Sequence, residues 1–304
     1  MFSGKAHWYL SWIYPRSPMA RGPRIYVPNG IYHVMARGNR RQVIFMDARD
    51  RRAFVKILAE GAKRYAVDVH AECRMFTHYH AVVRTPRANV SEFMDYLNGQ
   101  YARYSNRRHH LTGHLFGERF KPILVDTGFY LRVLMAYVMN NPVAAGHVAT
   151  AADWKWSSCR ATLGMEAAPS YLCLDWLDGA FPSASRCDSQ ALFGRYLNAP
   201  SIEDAELLVE PVAIGDAEFK KRIRARIGAT LFTASVPRAY RALHRPPLPE
   251  VLPSYLKKAE RDAAILRAHV MHAYTIAEIG RYLALHPNSV SRIVCAIRRE
   301  WKNV

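Results

Sequence analysis

The chain has no Cys-x-x-Cys pair: its five cysteines, Cys73, Cys159, Cys173, Cys187 and Cys295, are scattered. That spacing speaks against a zinc knuckle or a disulfide framework and suits a reducing compartment, so a cytoplasmic, nucleoid-associated location is expected. No apolar run approaches the ~18 residues of a membrane span. The phosphate-loop pattern GxxxxGK[ST] is missing too, so no nucleotide-driven step is expected. Acidic residues are scarce, 25 against 43 Lys and Arg. The opening stretch MFSGKAHWYLSWIYPRSP lacks the apolar centre of a signal peptide. Residues 1–18 are therefore expected to be an extension outside the folded core, with Met19 opening a more protein-like run.

What is present is a folded chain of 304 residues, 50% hydrophobic and 12% aromatic, long enough for two or three domains. The net charge of +18 implies a polyanionic partner, nucleic acid or an anionic membrane surface. The charge is uneven. Residues 1–150 hold 22 Lys and Arg against 9 Asp and Glu, residues 151–254 hold 12 of each, and residues 255–304 hold 9 against 4. Two basic regions flank a neutral one, and the expected organisation follows them: a folded domain over 19–165, a neutral, mostly helical spacer and linker over 166–254, and a basic helical domain over 255–304.

Periodicity gives strands at 31–36, 67–76, 79–84 and 119–126, and helices at about 50–64, from Asn89 or Ser91 to about 106, and 128–141. Thr127 is the expected cap of the last helix and Pro142 its end. The order is that of a split βαβ unit with one extra helix, an α+β, ferredoxin-like fold with an antiparallel sheet and helices on one face. In 255–304, TIAE (275–278) is a capping box, and Val290, Ile293, Val294 and Ile297 form the apolar stripe of a second helix. Ser289, Ser291, Arg292 and Arg299 lie off that stripe. A helix-turn-helix presenting them to DNA is the expected reading, an ordinary helical hairpin the other.

Two positions carry chemistry. In RMFTHYHAVV, His78 and His80 lie two residues apart on a strand, so both imidazoles share one face and can hold one metal ion. In the 128–141 helix, Tyr137 and Asn141 stand one turn apart on a stripe that faces the sheet. On pattern alone Tyr137 as core and Asn141 as a cap remain open, and His33 reads as a core or turn histidine. Arg37, Arg40, Arg41, Arg103, Arg107, Arg108, Arg119 and Lys121 are candidate DNA contacts, interleaved with Tyr101, Tyr104 and Phe116.

Five ordered segments, RIYVPNGIYHVMARGNRRQVIF, RMFTHYHAVV, YARYSNRRHHLTGHLFGERFK, AYVMNNPVAAG and WKWSSCRATLG, together resemble the REP-associated tyrosine transposases of the HUH single-tyrosine superfamily. The resemblance covers about residues 20–165. It implies the HUH nuclease fold, His78, His80 and Asn141 as metal ligands, Mg²⁺ or Mn²⁺ as the ion, and Tyr137 as the nucleophile. It also implies hairpin-forming single-stranded DNA as substrate, with monomer and homodimer both compatible. Ligand chemistry by itself equally allows Zn²⁺ or Co²⁺. The chain departs from the family where Phe76–Thr77 replaces a proline–asparagine and where Tyr79 replaces an aliphatic. The competing reading is a non-catalytic DNA-binding protein with a vestigial site.

Overall fold

The computed structural model describes residues 26–198, 213–227, 245–270 and 272–300. The expected extension at 1–18 lies outside these residues. The chain divides into two compact units, with the boundary along the sequence between Asp216 and Ala217.

The first unit is built on a sheet with strand order β2-β3-β1-β4-β5. The strands are β1 (Gly30–Arg37), β2 (Asp68–Arg74), β3 (His78–Thr85), β4 (Lys121–Val125) and β5 (Ala213–Ile214). The first four are antiparallel, in the order of a ferredoxin-like sheet. β5 pairs with β4 in parallel, so the sheet is mixed and not purely antiparallel as expected. Two residues of pairing leave too little local pattern to be read from sequence.

Helices α1 (Ala48–Tyr65), α2 (Val90–His109) and α3 (Phe129–Ala144) connect the strands. They do not all lie on one face, a second difference from expectation. Alternation along β3 sends Tyr79 one way and His80 the other. The Tyr79 ring lies 4.6 Å from Phe54 of α1, and its hydroxyl donates to Asn98 of α2 at 2.7 Å. Tyr101 of α2 packs on Phe45 and Phe54. The opposite face carries Ile31, Ala71, Val82 and Ile123, which share one apolar core with Leu134 and Val138 of α3. Strands buried on both faces explain why the β1 and β3 segments read as nearly continuous apolar runs.

The cap of α3 also differs. Its N-cap is Gly128, at φ 66°, with no side-chain cap, so Thr127 does not serve. The helix also runs through Pro142 to Ala144. Proline costs one ladder donor there, in the last turn, and the chain beyond stays bonded: Ala145 N–H to the Asn141 carbonyl and His147 N–H to that of Pro142.

Residues 154–173 return along β2. Arg74 N–H donates to the Trp156 carbonyl, Ser158 N–H to that of Glu72 and Cys173 N–H to that of Val69. The β2 edge is thereby partly covered by this irregular segment, while β5 covers only Leu124 and Val125 of β4. Helices α4 (Trp176–Ala180) and α5 (Arg186–Asn198) follow, and Trp176, Leu177, Phe181, Phe193 and Leu197 enter the core under α3. The compact unit thus continues past residue 165 into the segment that composition assigns to a spacer.

The second unit holds α6 (Ala217–Ile227), α7 (Lys258–Val270), α8 (Ile276–Leu283) and α9 (Pro287–Glu300). The last three enclose Ile265, Tyr274, Ile279, Val290 and Val294. The Thr275–Glu278 capping box is formed: Thr275 Oγ1 accepts the Glu278 N–H at 3.0 Å, and the Glu278 carboxylate accepts the Thr275 N–H at 2.6 Å. Gly280 permits the tight α8–α9 turn, because a Cβ there would sit 2.7 Å from the Leu285 carbonyl oxygen.

Phe54 is fully buried among Phe45, Tyr79 and Tyr101. Phe54→Ala is expected to lower unfolding free energy by about 3–5 kcal/mol, measured by urea denaturation. A loss below about 1 kcal/mol would show that the aromatic cluster is not the packed centre of this face.

Candidate active site

The antiparallel β1–β3 register sets Met35 opposite His80, Arg37 opposite His78 and His33 opposite Val82. Residues paired across strands share a face, so His33, Arg37, His78 and His80 all lie on the α3 side of the sheet. Lys121 of β4 stands opposite Met35 and joins that face at its rim. From above, α3 lays the Tyr137 ring edge-on to both histidines, 6.0 Å from His33 and 5.9 Å from His80 between ring centroids.

The three imidazoles form a chain of contacts. His33 Nε2 and His80 Nδ1 are 2.9 Å apart, with the two rings stacked. His78 and His80 lie 5.0 Å apart at a steep angle. Thr77 Oγ1 stands 3.1 Å from His78 Nδ1. Both strand histidines therefore have their Nδ1 held by a protein group. His80 Nε2 is buried and has no hydrogen-bond partner. A buried, unpaired lone pair is costly unless something binds it, and an imidazole whose other nitrogen is already anchored is a ready metal ligand.

Burial keeps these rings neutral. It pushes His33 down to about 4 and His78 to about 3, the Arg37 and His147 charges adding to the second. His80 falls well below the usual range for the same first reason, with His78, His33 and Arg37 adding. Neutral imidazole is the form that coordinates a cation.

Asn141 is buried one turn beyond Tyr137. Its amide donates to the Tyr137 carbonyl at 2.9 Å, which leaves Oδ1 as the acceptor end. Burial raises the Tyr137 phenol to about 12, against the opposing pull of the Asn141 side chain and the Arg37 charge. Two neutral imidazoles and one amide oxygen fit a divalent cation with positions left open for other ligands. Among the described residues, no three His, Cys, Asp or Glu side chains gather into a closed cage.

The basic residues separate into groups. Arg37 and Lys121 belong to the site face; Lys121 also lies 3.7 Å from Glu118. Arg40 and Arg41 are exposed at left-handed φ of 51° and 62° in the turn after β1. That turn is pinned by Gly38 N–H to the Thr77 carbonyl and Asn39 N–H to that of Leu115. Gly38 is required there, since a Cβ would sit 2.3 Å from the Gln42 carbonyl oxygen. Arg119 is exposed in the loop before β4. Arg103 and Arg107 are exposed on α2, which covers the opposite face of the sheet. Arg108 is engaged in structure: its guanidinium binds Asp47 and Asp50 at the start of α1, and Asp50 is completely buried. In the second unit, Ser289 and Ser291 are half-buried and Arg292 is exposed on α9. The Arg299 side chain lies outside the described residues.

The core reading of His33 holds, since it is buried and hydrogen-bonded, but its partner His80 was not legible in the sequence. The alternation of His33 with Met35 and Arg37 was visible, but only the β1–β3 register brings it beside His80. Thr77 was equally silent, since its role depends on which way the His78 ring turns.

Because these histidines are neutral when folded, the unfolded chain binds more protons than the native one below its ordinary histidine pKa of ~6.5. Stability therefore rises with pH through this range and falls as pH drops from about 6.5 toward 4. Thermal denaturation of the metal-free protein is expected to show Tm dropping across that window. The drop is expected to be shallower in His33→Phe, and equal slopes for both proteins would place the titration elsewhere.

Comparison with known proteins now bears on the geometry. Residues 26–141 match the model of the family described as IS200-like transposase. A solved REP-associated tyrosine transposase bound to a REP hairpin is 18% identical, covering 52% of this chain and 91% of its own, with a TM-score of 0.42. A transposase-like protein from Deinococcus radiodurans R1 is 19% identical over 40% of this chain and 97% of its own, with a TM-score of 0.29. No curated protein matches the chain. The matched segment runs from β1 to Asn141 and so contains His33, both strand histidines and Tyr137: over residues 26–141, this chain is similar to the IS200-like transposases.

Proposed function

We propose that the protein is a metal-dependent nickase and strand transferase acting on single-stranded DNA, with Tyr137 as nucleophile. The observation that carries this reading is the Tyr137 ring set edge-on above the His33–His80 pair, beside the unpartnered His80 Nε2. His78 and His80 through Nε2, with Asn141 through Oδ1, would hold Mg²⁺ or Mn²⁺. Such an ion supplies positive charge to a scissile phosphate and helps orient it.

The protein's own groups do the rest. The Tyr137 phenol, raised by burial, is protonated at neutral pH and must lose its proton on attack. Its oxygen bonds to phosphorus, the bond from phosphorus to the 3′ oxygen breaks, and that oxygen leaves as a 3′-hydroxyl. The product is a 5′-phosphotyrosine. Reversal by another 3′-hydroxyl rejoins strands without loss of a phosphodiester, so the cycle needs no ATP. Arg37 and Lys121 oppose the phosphate charge from the rim. The hairpin-forming substrate follows from the sequence resemblance. Helices α8 and α9 would add duplex contact as a helix-turn-helix, through Ser289, Ser291, Arg292 and Arg299.

Incubation with single-stranded hairpin DNA and Mn²⁺ is expected to give a covalent protein–DNA adduct that survives denaturing electrophoresis. Tyr137→Phe should abolish it while retaining most of the DNA binding; an undiminished adduct would remove Tyr137 from the chemistry. His33→Ala is expected to weaken Mn²⁺ binding about 10–100-fold, because it frees the His80 ring to turn. Titration followed by the Mn²⁺ paramagnetic resonance signal reads this directly, and an unchanged affinity would reduce His33 to packing.

A further inference from the structure

Phe76 is 42% exposed, the largest apolar side chain left open beside the histidine strand. It stands two residues before His78, where the family resemblance would place a proline. Its backbone is not loose: the Phe76 carbonyl accepts the N–H groups of Ile44 and Phe45 at 2.9 and 3.3 Å. Its ring is held as well. The buried Arg51 guanidinium lies 5.0 Å from the ring centroid, a cation–π contact. Trp154 meets it edge-on at 5.6 Å and His147 at 5.1 Å.

His147 comes from a different part of the chain. It follows the end of α3, where Gly146 at φ 71° turns the backbone. Its ring stacks on the buried Trp154 at 5.6 Å with an interplanar angle of 22°, and it is exposed to solvent. The connection into β3 and the exit from the Tyr137 helix thus each deliver an exposed ring to one place, on a common tryptophan base. That place adjoins His78 and the Arg37 end of β1.

An exposed, rigid pair of rings next to a phosphate-handling site suits one class of ligand. Aliphatic partners gain nothing from ring geometry, and a phosphate gains nothing from phenylalanine. An unpaired nucleobase has a flat π-face, stacks without regard to sequence, and carries its phosphate toward neighbouring cations. The surplus of Lys and Arg over residues 1–150 has the complementary sign.

We infer that Phe76 and His147, set nearly at right angles, form an aromatic corner in which the unpaired nucleobase beside the scissile phosphate stacks on one ring and meets the other edge-on. This rests on the single-stranded DNA reading above. The platform favours an unpaired base over an abasic position without reading which base it is.

The test uses the full chain carrying Tyr137→Phe, so that strands are bound and not cut. Affinity is measured by fluorescence anisotropy for oligo(dA) and for an abasic oligodeoxynucleotide of equal length. Phe76→Ala is expected to reduce the preference for the base-bearing strand about 10-fold and to leave abasic binding within about two-fold. Phe76→Trp should keep the preference, and His147→Ala, a change at an exposed loop position, should lose part of it. A preference unchanged in both alanine variants, with melting temperatures preserved, overturns the platform and leaves the nickase reading intact. Equal loss of both affinities in Phe76→Ala and Phe76→Trp also overturns it. Failure of the Tyr137→Phe protein to bind either strand defeats the nickase reading, and the platform with it.

Discussion

The pairing of β1 with β3 is the constraint on which everything else depends. Shift it by one residue and every side chain on β1 changes face. His33 would leave His80 and enter the aromatic core around Phe54, while Tyr32 would be pushed against Tyr137. The register is secured from both sides of the sheet, since each face is buried under helices and neither tolerates the other's residues. The hydrogen bond between His33 and His80 is the polar expression of this: two rings 47 positions apart meet because the strands that bear them are locked by apolar packing.

The site is built by a division of labour. In the proposed site the sheet carries the histidines, α3 carries the tyrosine and the asparagine, and the strand ends at Arg37 and Lys121 carry charge. Strands and helices hold side chains more tightly than loops, which would suit groups meeting a reacting phosphorus atom in the proposed reaction. One end of the Asn141 amide is spent on the helix that carries Tyr137, so only its oxygen is left to serve as the proposed ligand.

How much of this the amino-acid sequence declares depends on range. His78 and His80 on one face follow from the two-residue strand period, and Tyr137 with Asn141 from the helical repeat. The Thr275–Glu278 box is legible for the same reason, being complete within four residues. What local pattern cannot supply is the partner from far away. Arg108 reads as a surface cation until Asp47 and Asp50, about sixty residues earlier, are seen to occupy it. Trp176 and Phe193 read as part of a neutral spacer because composition says nothing about which core a segment joins. Thr127 obeys the capping rule, yet the helix starts one residue later, since Gly128 takes the left-handed turn that threonine disfavours. Pro142 fails as a stop signal because the rule describes cost, and a single missing donor in a final turn is a small one.

The partly covered β2 edge of the sheet sets a limit on assembly. β5 lies along the Leu124–Val125 end of β4, and the strand-like return near Trp156 and Cys173 lies along β2, so the backbone groups on the β2 flank are partly engaged within one copy. A strand added along β2 would have to displace the Trp156–Cys173 return, whereas on the other flank β5 pairs with Leu124 and Val125 alone.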